Sequence, residues 1–181
     1  MRARAALSIS PSEQSTRGLQ RRVAAIWAAI ERACEQEAFK PQVTAQKAPD
    51  GRQHPNGDAL KIAPMFKRAG GRDIQIYLQD VYEQWPYEDL GIADYLAKVD
   101  TIARKVVADP HRSSYVYVPF NEPDLIWYTN DVAGLNADWR TVVQRIRSID
   151  PGARIAGPNF ASYRAADLRT FLTAAKANGV L

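Results

Sequence analysis

The stretch Tyr115-Val116-Tyr117-Val118-Pro119-Phe120-Asn121-Glu122-Pro123-Asp124 decides how this chain is read. Its opening residues are aromatic or β-branched, the types that suit a pleated, buried surface. They predict a strand from Tyr115 to Phe120. The strand runs straight into an amide and a carboxylate, and Pro123, which has no N–H to give a ladder, ends the pairing. Asn121 and Glu122 are therefore expected side by side at the C-terminal end of a buried strand. Partial burial there raises a carboxyl pKa and favours the protonated, proton-donating form. The Asn121 amide is suited to hold a hydroxyl of a bound polyol. On its residues alone, the same string also describes an ordinary strand-end glutamate in water.

The flanks repeat the pattern. Ile74–Leu78 and Arg154–Ala156 read as further short strands, so strands start at 74, 115 and 154. Each is followed by residues with helical periodicity. The first set is Ile92, Tyr95, Leu96, Val99, Ile102, Val106 and Val107. The second is Trp139, Val142, Val143 and Ile146, and the third Leu168, Phe171, Leu172 and Ala175. Asp109-Pro110, Asp150-Pro151-Gly152 and Asn178-Gly179 close the three helices. A run of βα units calls for a parallel sheet with helical cover. Upstream, Ile62, Met65, Phe66 and Ala69 predict a helix ending at Gly70-Gly71, with Pro64 implying a kink or a late start. Two α/β architectures fit, an open doubly wound sheet and a (β/α)8 barrel. The segments after the strands (79–90, 121–136 and 158–164) are long and decorated, which places function at the strands' C-terminal ends in either fold. Nucleotide-binding open sheets usually carry GxGxxG or GxxxxGK[ST], and this chain has neither. The barrel is favoured.

Residues 1–57 form a separate segment in this reading, and 58–181 the barrel part. Leu19, Val23, Ile26, Ile30 and Cys34 predict a helix from Thr16 to Phe39, followed by a Pro- and Gly-rich loop. Weak strand signals lie at Ala6–Ser10 and Gln42–Ala45. Counting both makes Tyr115 the start of the fourth strand and Arg154 the start of the fifth. That gives about five βα units of the eight that close a barrel.

Composition narrows the chemistry. The chain has 181 residues, 46% apolar and 24% charged, enough for a buried core. Its net charge of +4 comes from scattered cations, without the basic stripe of a nucleic-acid binder. One cysteine, Cys34, excludes an internal disulfide framework. No apolar run is long enough to span a membrane, and Ala5 to Ile9 is too short for a signal-peptide core. His54 and His111 lack the HExxH spacing of a metal hydrolase, and there is no GxSxG elbow. Aromatics gather on the strand-end loops: Tyr82, Trp85 and Tyr87, then Trp127 and Tyr128, then Phe160 and Tyr163. Rings suit the C–H faces of sugars, and equally suit plain packing of long loops.

Phe120-Asn121-Glu122-Pro123-Asp124, Trp127 and the stretch from Ser148 through Asp150-Pro151-Gly152 to Gly157-Pro158 resemble the central part of clan A glycoside hydrolases. The chain is most similar to family thirty-nine, the β-xylosidase and iduronidase-like enzymes, over Ile74 to Leu181. The resemblance implies a (β/α)8 barrel that hydrolyses O-glycosidic bonds with retention of configuration. It makes Glu122 the general acid/base and Asn121 the ligand of the sugar's 2-hydroxyl. It implies an oligosaccharide or polysaccharide substrate, and no metal or organic cofactor. The family's nucleophile is a glutamate ending the seventh strand, and this chain stops where a sixth would begin. The expectation is thus an incomplete barrel, without the nucleophile-bearing part.

Asp80, Glu83 and Asp124 lie on neighbouring loops. Asp80 directly follows a strand and is expected to bind substrate or cap its loop, and Asp124 to serve a turn or helix cap. Trp85 and Trp127 are expected to contact sugar. The rival reading is a catalytically inactive barrel fragment that binds carbohydrate. The open sheet edges of a partial barrel predict self-association.

Overall fold

Alternation of period two builds the middle of the sheet. The computed structural model describes residues 25, 26, 28, 29, 32, 42–51, 57–78, 86–125, 127–162 and 164–181. Strand β2, Asp73–Tyr77, buries Ile74 and Ile76 and leaves Asp73, Gln75 and Tyr77 half-buried. Successive strand side chains point to opposite faces, so one face of β2 joins the core and the other presents polar groups. β2 pairs in parallel with β1, Val43–Lys47, on one side and with β3, Tyr115–Val118, on the other. Ile74 lies opposite Tyr115 and Ile76 opposite Tyr117, so the buried row continues across the sheet. Past β3 the chain adds two parallel bridges, Tyr117 to Ile155 and Asn121 to Asn159. The neighbours therefore run in chain order: β1, β2, β3, then residues 154–159.

The helices are α1 (Ala59–Arg68), α2 (Pro86–Ala108), α3 (Val132–Ile149) and α4 (Ala165–Ala177). Tyr95, Val99, Ile102 and Val106 of α2 share a stripe and are fully buried. They join Leu135, Trp139, Val142, Val143 and Ile146 of α3 in one core with Ile74, Ile76, Tyr115 and Tyr117. Arg145 of α3 grips both carboxylate oxygens of Asp100 on α2. α4 sets Phe171 edge-on to Trp139, with ring centroids 5.3 Å apart, and the Trp139 indole N–H donates to the Val180 carbonyl (3.2 Å).

Two phenols anchor the lower end of β3. The Tyr115 hydroxyl donates to Asp109 (2.9 Å) and the Tyr117 hydroxyl to Asp150 (3.3 Å), which also pairs with Arg112 (3.0 Å). Burial, reinforced by these carboxylates, pushes both phenol pKa values up, so both remain neutral donors.

Helix α1 shows how the sequence sets its own limits. The Asp58 carboxylate accepts the Leu60 and Lys61 N–H groups (3.0 and 3.2 Å) and caps the start. At the other end the Gly70 N–H bonds the Lys67 carbonyl and the Gly71 N–H that of Phe66, a Schellman closure. Gly70 takes φ +80°, which glycine adopts at little cost. Gly71 is needed for space: a Cβ there would stand 2.3 Å from the buried Phe66 ring. Gly71→Ala should destabilise the fold by about 1–3 kcal/mol through overpacking, read as a lower urea midpoint at unchanged m-value.

Arg154 reaches back across the sheet to Asp73 (2.8 Å), which Arg72 also bonds (2.7 Å). Burial pulls the Asp73 pKa up, but the bonds and charges of Arg154 and Arg72 together hold it below the usual value. A depressed carboxyl contributes stability above its unfolded pKa and loses it as pH falls through its folded pKa. Asp73→Asn should therefore cost up to about 1 kcal/mol at neutral pH, in denaturant melts, and converge on the wild type in acid.

Several expectations need correction. The strand from Tyr115 ends at Val118, not Phe120, because Pro119 gives no N–H; a single bridge resumes at Asn121. Pro64 does not delay α1, which starts at its Asp58 cap and carries the proline ring on its exposed face. Residues 86–90, read as loop, are helical, and a break at Gly91 (φ +79°, ψ −178°) separates them from the rest of α2. Residues 154–156 form a single bridge rather than a strand. Leu172 is exposed, since α4 turns only Phe171 and Ala175 fully inward. The strand expected at Gln42–Ala45 appears as β1, inside the same sheet as the residues after 57. The Ala6–Ser10 strand and most of the Thr16–Phe39 helix lie outside the described residues. Residues 25, 26, 28, 29 and 32 are helical, with Ile26 exposed. No helix among the described residues is long and apolar enough to cross a membrane.

Candidate active site

Phe120 fixes where the site begins. Its ring is buried among Tyr95, Tyr128 and Trp139, with centroids at 5.7, 5.7 and 6.4 Å. The Tyr95 hydroxyl donates to the Pro119 carbonyl (2.6 Å) and holds the backbone just before it. With that anchor set, Asn121 and Glu122 emerge at the C-terminal end of β3, Asn121 buried and Glu122 half-buried.

Glu122 has φ +50°, a left-handed conformation that non-glycine residues seldom take. The neighbouring strand end holds it there. The Asn159 N–H donates to the Phe120 carbonyl (3.2 Å), and the Glu122 N–H donates to the Asn159 carbonyl (2.7 Å). The two strand ends are thus laced together at the point where the carboxylate leaves the backbone. Glycine is required just before, at Gly157 (φ +97°), where a Cβ would meet the Asn159 nitrogen at 3.0 Å.

Asp124 belongs to the same lacing. Its carboxylate is buried and accepts the Ala161 N–H (2.9 Å) and the Ser162 N–H (3.1 Å). The sequence suggested a turn or a helix cap; instead it fastens a loop distant along the chain. Thr129 closes the turn by donating to the Leu125 carbonyl (3.2 Å). On the sheet face away from the core, the Asn159 side-chain amide donates to the Tyr77 hydroxyl (3.3 Å). Tyr77 and Asn159 escaped the sequence reading. Gly157-Pro158 marked the strand end, but the bridge from Asn121 to Asn159 is a tertiary fact that local spelling does not carry.

Of the other expected site residues, Trp127 is half-buried and packs against the core. Tyr128 is buried, its hydroxyl donating to Asp138 (2.7 Å), and Phe160 stacks edge-on to Phe171. Asp80 and Trp85, with Tyr82, Glu83 and Tyr163, lie outside the described residues. A cavity of about 380 Å³ lined by Pro158, Phe160, Ala161, Ser162, Arg164 and Leu168 flanks the site. Another, of about 450 Å³, lies at the opposite end of the strands, between Asp109–Ser113 and Asp150–Arg154. Among the described residues no three His, Cys, Asp or Glu side chains come together as metal ligands would.

A carboxyl and an amide at the end of a parallel strand, on backbone fixed by the next strand end, can deliver and retrieve a proton beside a bound hydroxyl. Known proteins bear on which reaction this serves. The chain is 29% identical to a 3-O-β-L-arabinopyranosyl-α-L-arabinofuranosidase of Bifidobacterium pseudocatenulatum, over 76% of this chain and 20% of that protein. By resemblance, the chain is similar to a glycoside hydrolase. A second relative, the 3-O-α-D-galactosyl-α-L-arabinofuranosidase of Bifidobacterium longum subsp. longum, is 28% identical over 80% of this chain and 18% of its own length. The chain therefore spans about a fifth of the curated relatives it matches. Among solved structures, that of N2152 from Neocallimastix frontalis superposes with a TM-score of 0.65 at 30% identity, covering 77% of this chain and 35% of that one. No protein-family profile matches.

Proposed function

We propose that this chain forms the acid/base side of a glycoside-hydrolase active site, with Glu122 as the proton donor to the leaving oxygen. The observation that carries the proposal is the placement of Glu122: at the end of β3, in a left-handed conformation held by the next strand end. Parallel neighbours in unbroken chain order are what successive units of a (β/α)8 barrel would produce, and catalytic groups in that fold sit at the strands' C-terminal ends. In the clan A, family thirty-nine reading, Asn121 grips the 2-hydroxyl of the sugar at the cleavage point. Asp80 and Trp85 extend the substrate contact from the preceding loop. Trp127, half-buried against the core, is a further substrate contact. The names of the relatives direct the choice of substrate to an α-L-arabinofuranosyl linkage within an oligosaccharide or polysaccharide.

Retention needs a second carboxyl about 5–5.5 Å from the first, to attack the anomeric carbon while Glu122 protonates the departing oxygen. Glu122 then activates the water that releases the sugar. Asp124 is not that group, because its carboxylate already accepts two backbone N–H groups. The nucleophile is assigned to none of the described residues. Glu122 carries both proton transfers and the second carboxylate the nucleophilic attack, so the mechanism asks for no metal or organic cofactor.

The test is hydrolysis of aryl α-L-arabinofuranosides by the wild type and by Glu122→Gln. Turnover that the substitution abolishes supports the assignment. Turnover equal in the two proteins overturns it. Background rates in both, with saccharide binding that needs Asn121, would favour the inactive carbohydrate-binding reading instead.

A further inference from the structure

We infer that Asp124 is a positioning residue for Glu122, acting through the loop of residues 158–162; the inference rests on the acid/base reading of Glu122. Three observations lead to it. Glu122 occupies a conformation that persists only where its surroundings over-determine it. The contact that does so is its N–H bond to the Asn159 carbonyl, so the template for Glu122 is the neighbouring loop rather than its own strand. That loop is in turn fastened by the buried Asp124 carboxylate, which takes two N–H groups at 2.9 and 3.1 Å, two residues along the chain from Glu122. Asp124 and Glu122 therefore grip the same foreign loop from adjacent turns. A loop released at Ala161 and Ser162 no longer presents Asn159 at a fixed height, and the carboxyl of Glu122 loses its aim.

Neither end of this arrangement depends on substrate, so it can be read without turnover. Amide hydrogen exchange at Ala161, Ser162 and Glu122 would be measured in the wild type, Asp124→Ala and Asp124→Asn. The titration of Glu122 would be followed by NMR of carboxyl-labelled glutamate. Asp124→Ala should speed exchange at all three amides by at least about tenfold, the equivalent of one charge-assisted hydrogen bond, and move the Glu122 titration. Asp124→Asn keeps one acceptor oxygen and should fall between. Tyr128→Phe, which breaks a part-buried bond between the loop after β3 and α3, should leave the Glu122 amide and titration unchanged. In turnover, Asp124→Asn should lower kcat with little change in KM.

Fast exchange at Ala161 and Ser162 with an unaltered Glu122 amide and titration overturns the inference and leaves Asp124 as a loop fastener. If Asp124→Ala fails to fold, the same comparison in Asp124→Asn decides. Coupling between the two residues in a protein that hydrolyses no glycoside would strike the acid/base reading alone.

Discussion

Glu122→Gln should slow hydrolysis of an arabinofuranoside with a poor leaving group by about 10²–10⁴-fold, the usual worth of a positioned general acid. Glutamine keeps the size of the side chain and its capacity to hydrogen-bond, but has no carboxyl proton to give. The loss should shrink for a dinitrophenyl leaving group, which departs without protonation. Release of the sugar would then limit the rate, because the same side chain activates water. Azide needs no general base, and should restore turnover of the dinitrophenyl substrate. The measurement is kcat/KM for the two leaving groups, and kcat for the dinitrophenyl substrate with and without azide. An equal loss on both substrates would assign Glu122 to binding rather than proton transfer.

Phe120→Ala should cost about 3–5 kcal/mol, the range for removing a buried aromatic ring. The ring touches both large helices and the loop after β3, through Tyr95, Trp139 and Tyr128. Its removal leaves a cavity directly beneath Asn121 and Glu122, where the Tyr95 hydroxyl holds the Pro119 carbonyl. Stability and function should therefore fall together. Phe120→Leu refills most of the volume and should recover more than half of the loss, measured in urea melts. A near-neutral Phe120→Ala would mean that the rings around it collapse inward, and that the site does not depend on this anchor.

Much of this fold was legible because periodicity reports burial directly. Ile74 and Ile76 alternate with polar neighbours, and Tyr95, Val99, Ile102 and Val106 recur at helical spacing; both patterns survive as the core. The Asn121-Glu122 pair was legible for the same reason, a buried run passing abruptly into polar side chains. Failures fell where a residue's role depends on what lies across from it. Leu172 has the right spacing, yet α4 meets the core through a narrower stripe. Trp127 offers a ring and a polar tip, which suit a sugar and a core equally; its ring packs against the core and stays half-buried. Asn159 and Tyr77 meet through strand pairing between segments far apart in sequence. Asp124 reads locally as a turn residue because nothing nearby announces that its partners are Ala161 and Ser162.

The side-by-side order of β1, β2, β3 and residues 154–159 bears on how the protein is made. Among the described residues, each unit after β1 finds its docking surface in the one translated just before it. Assembly can thus proceed vectorially, with short searches between segments, which favours rapid formation of a parallel sheet that would otherwise be slow to close.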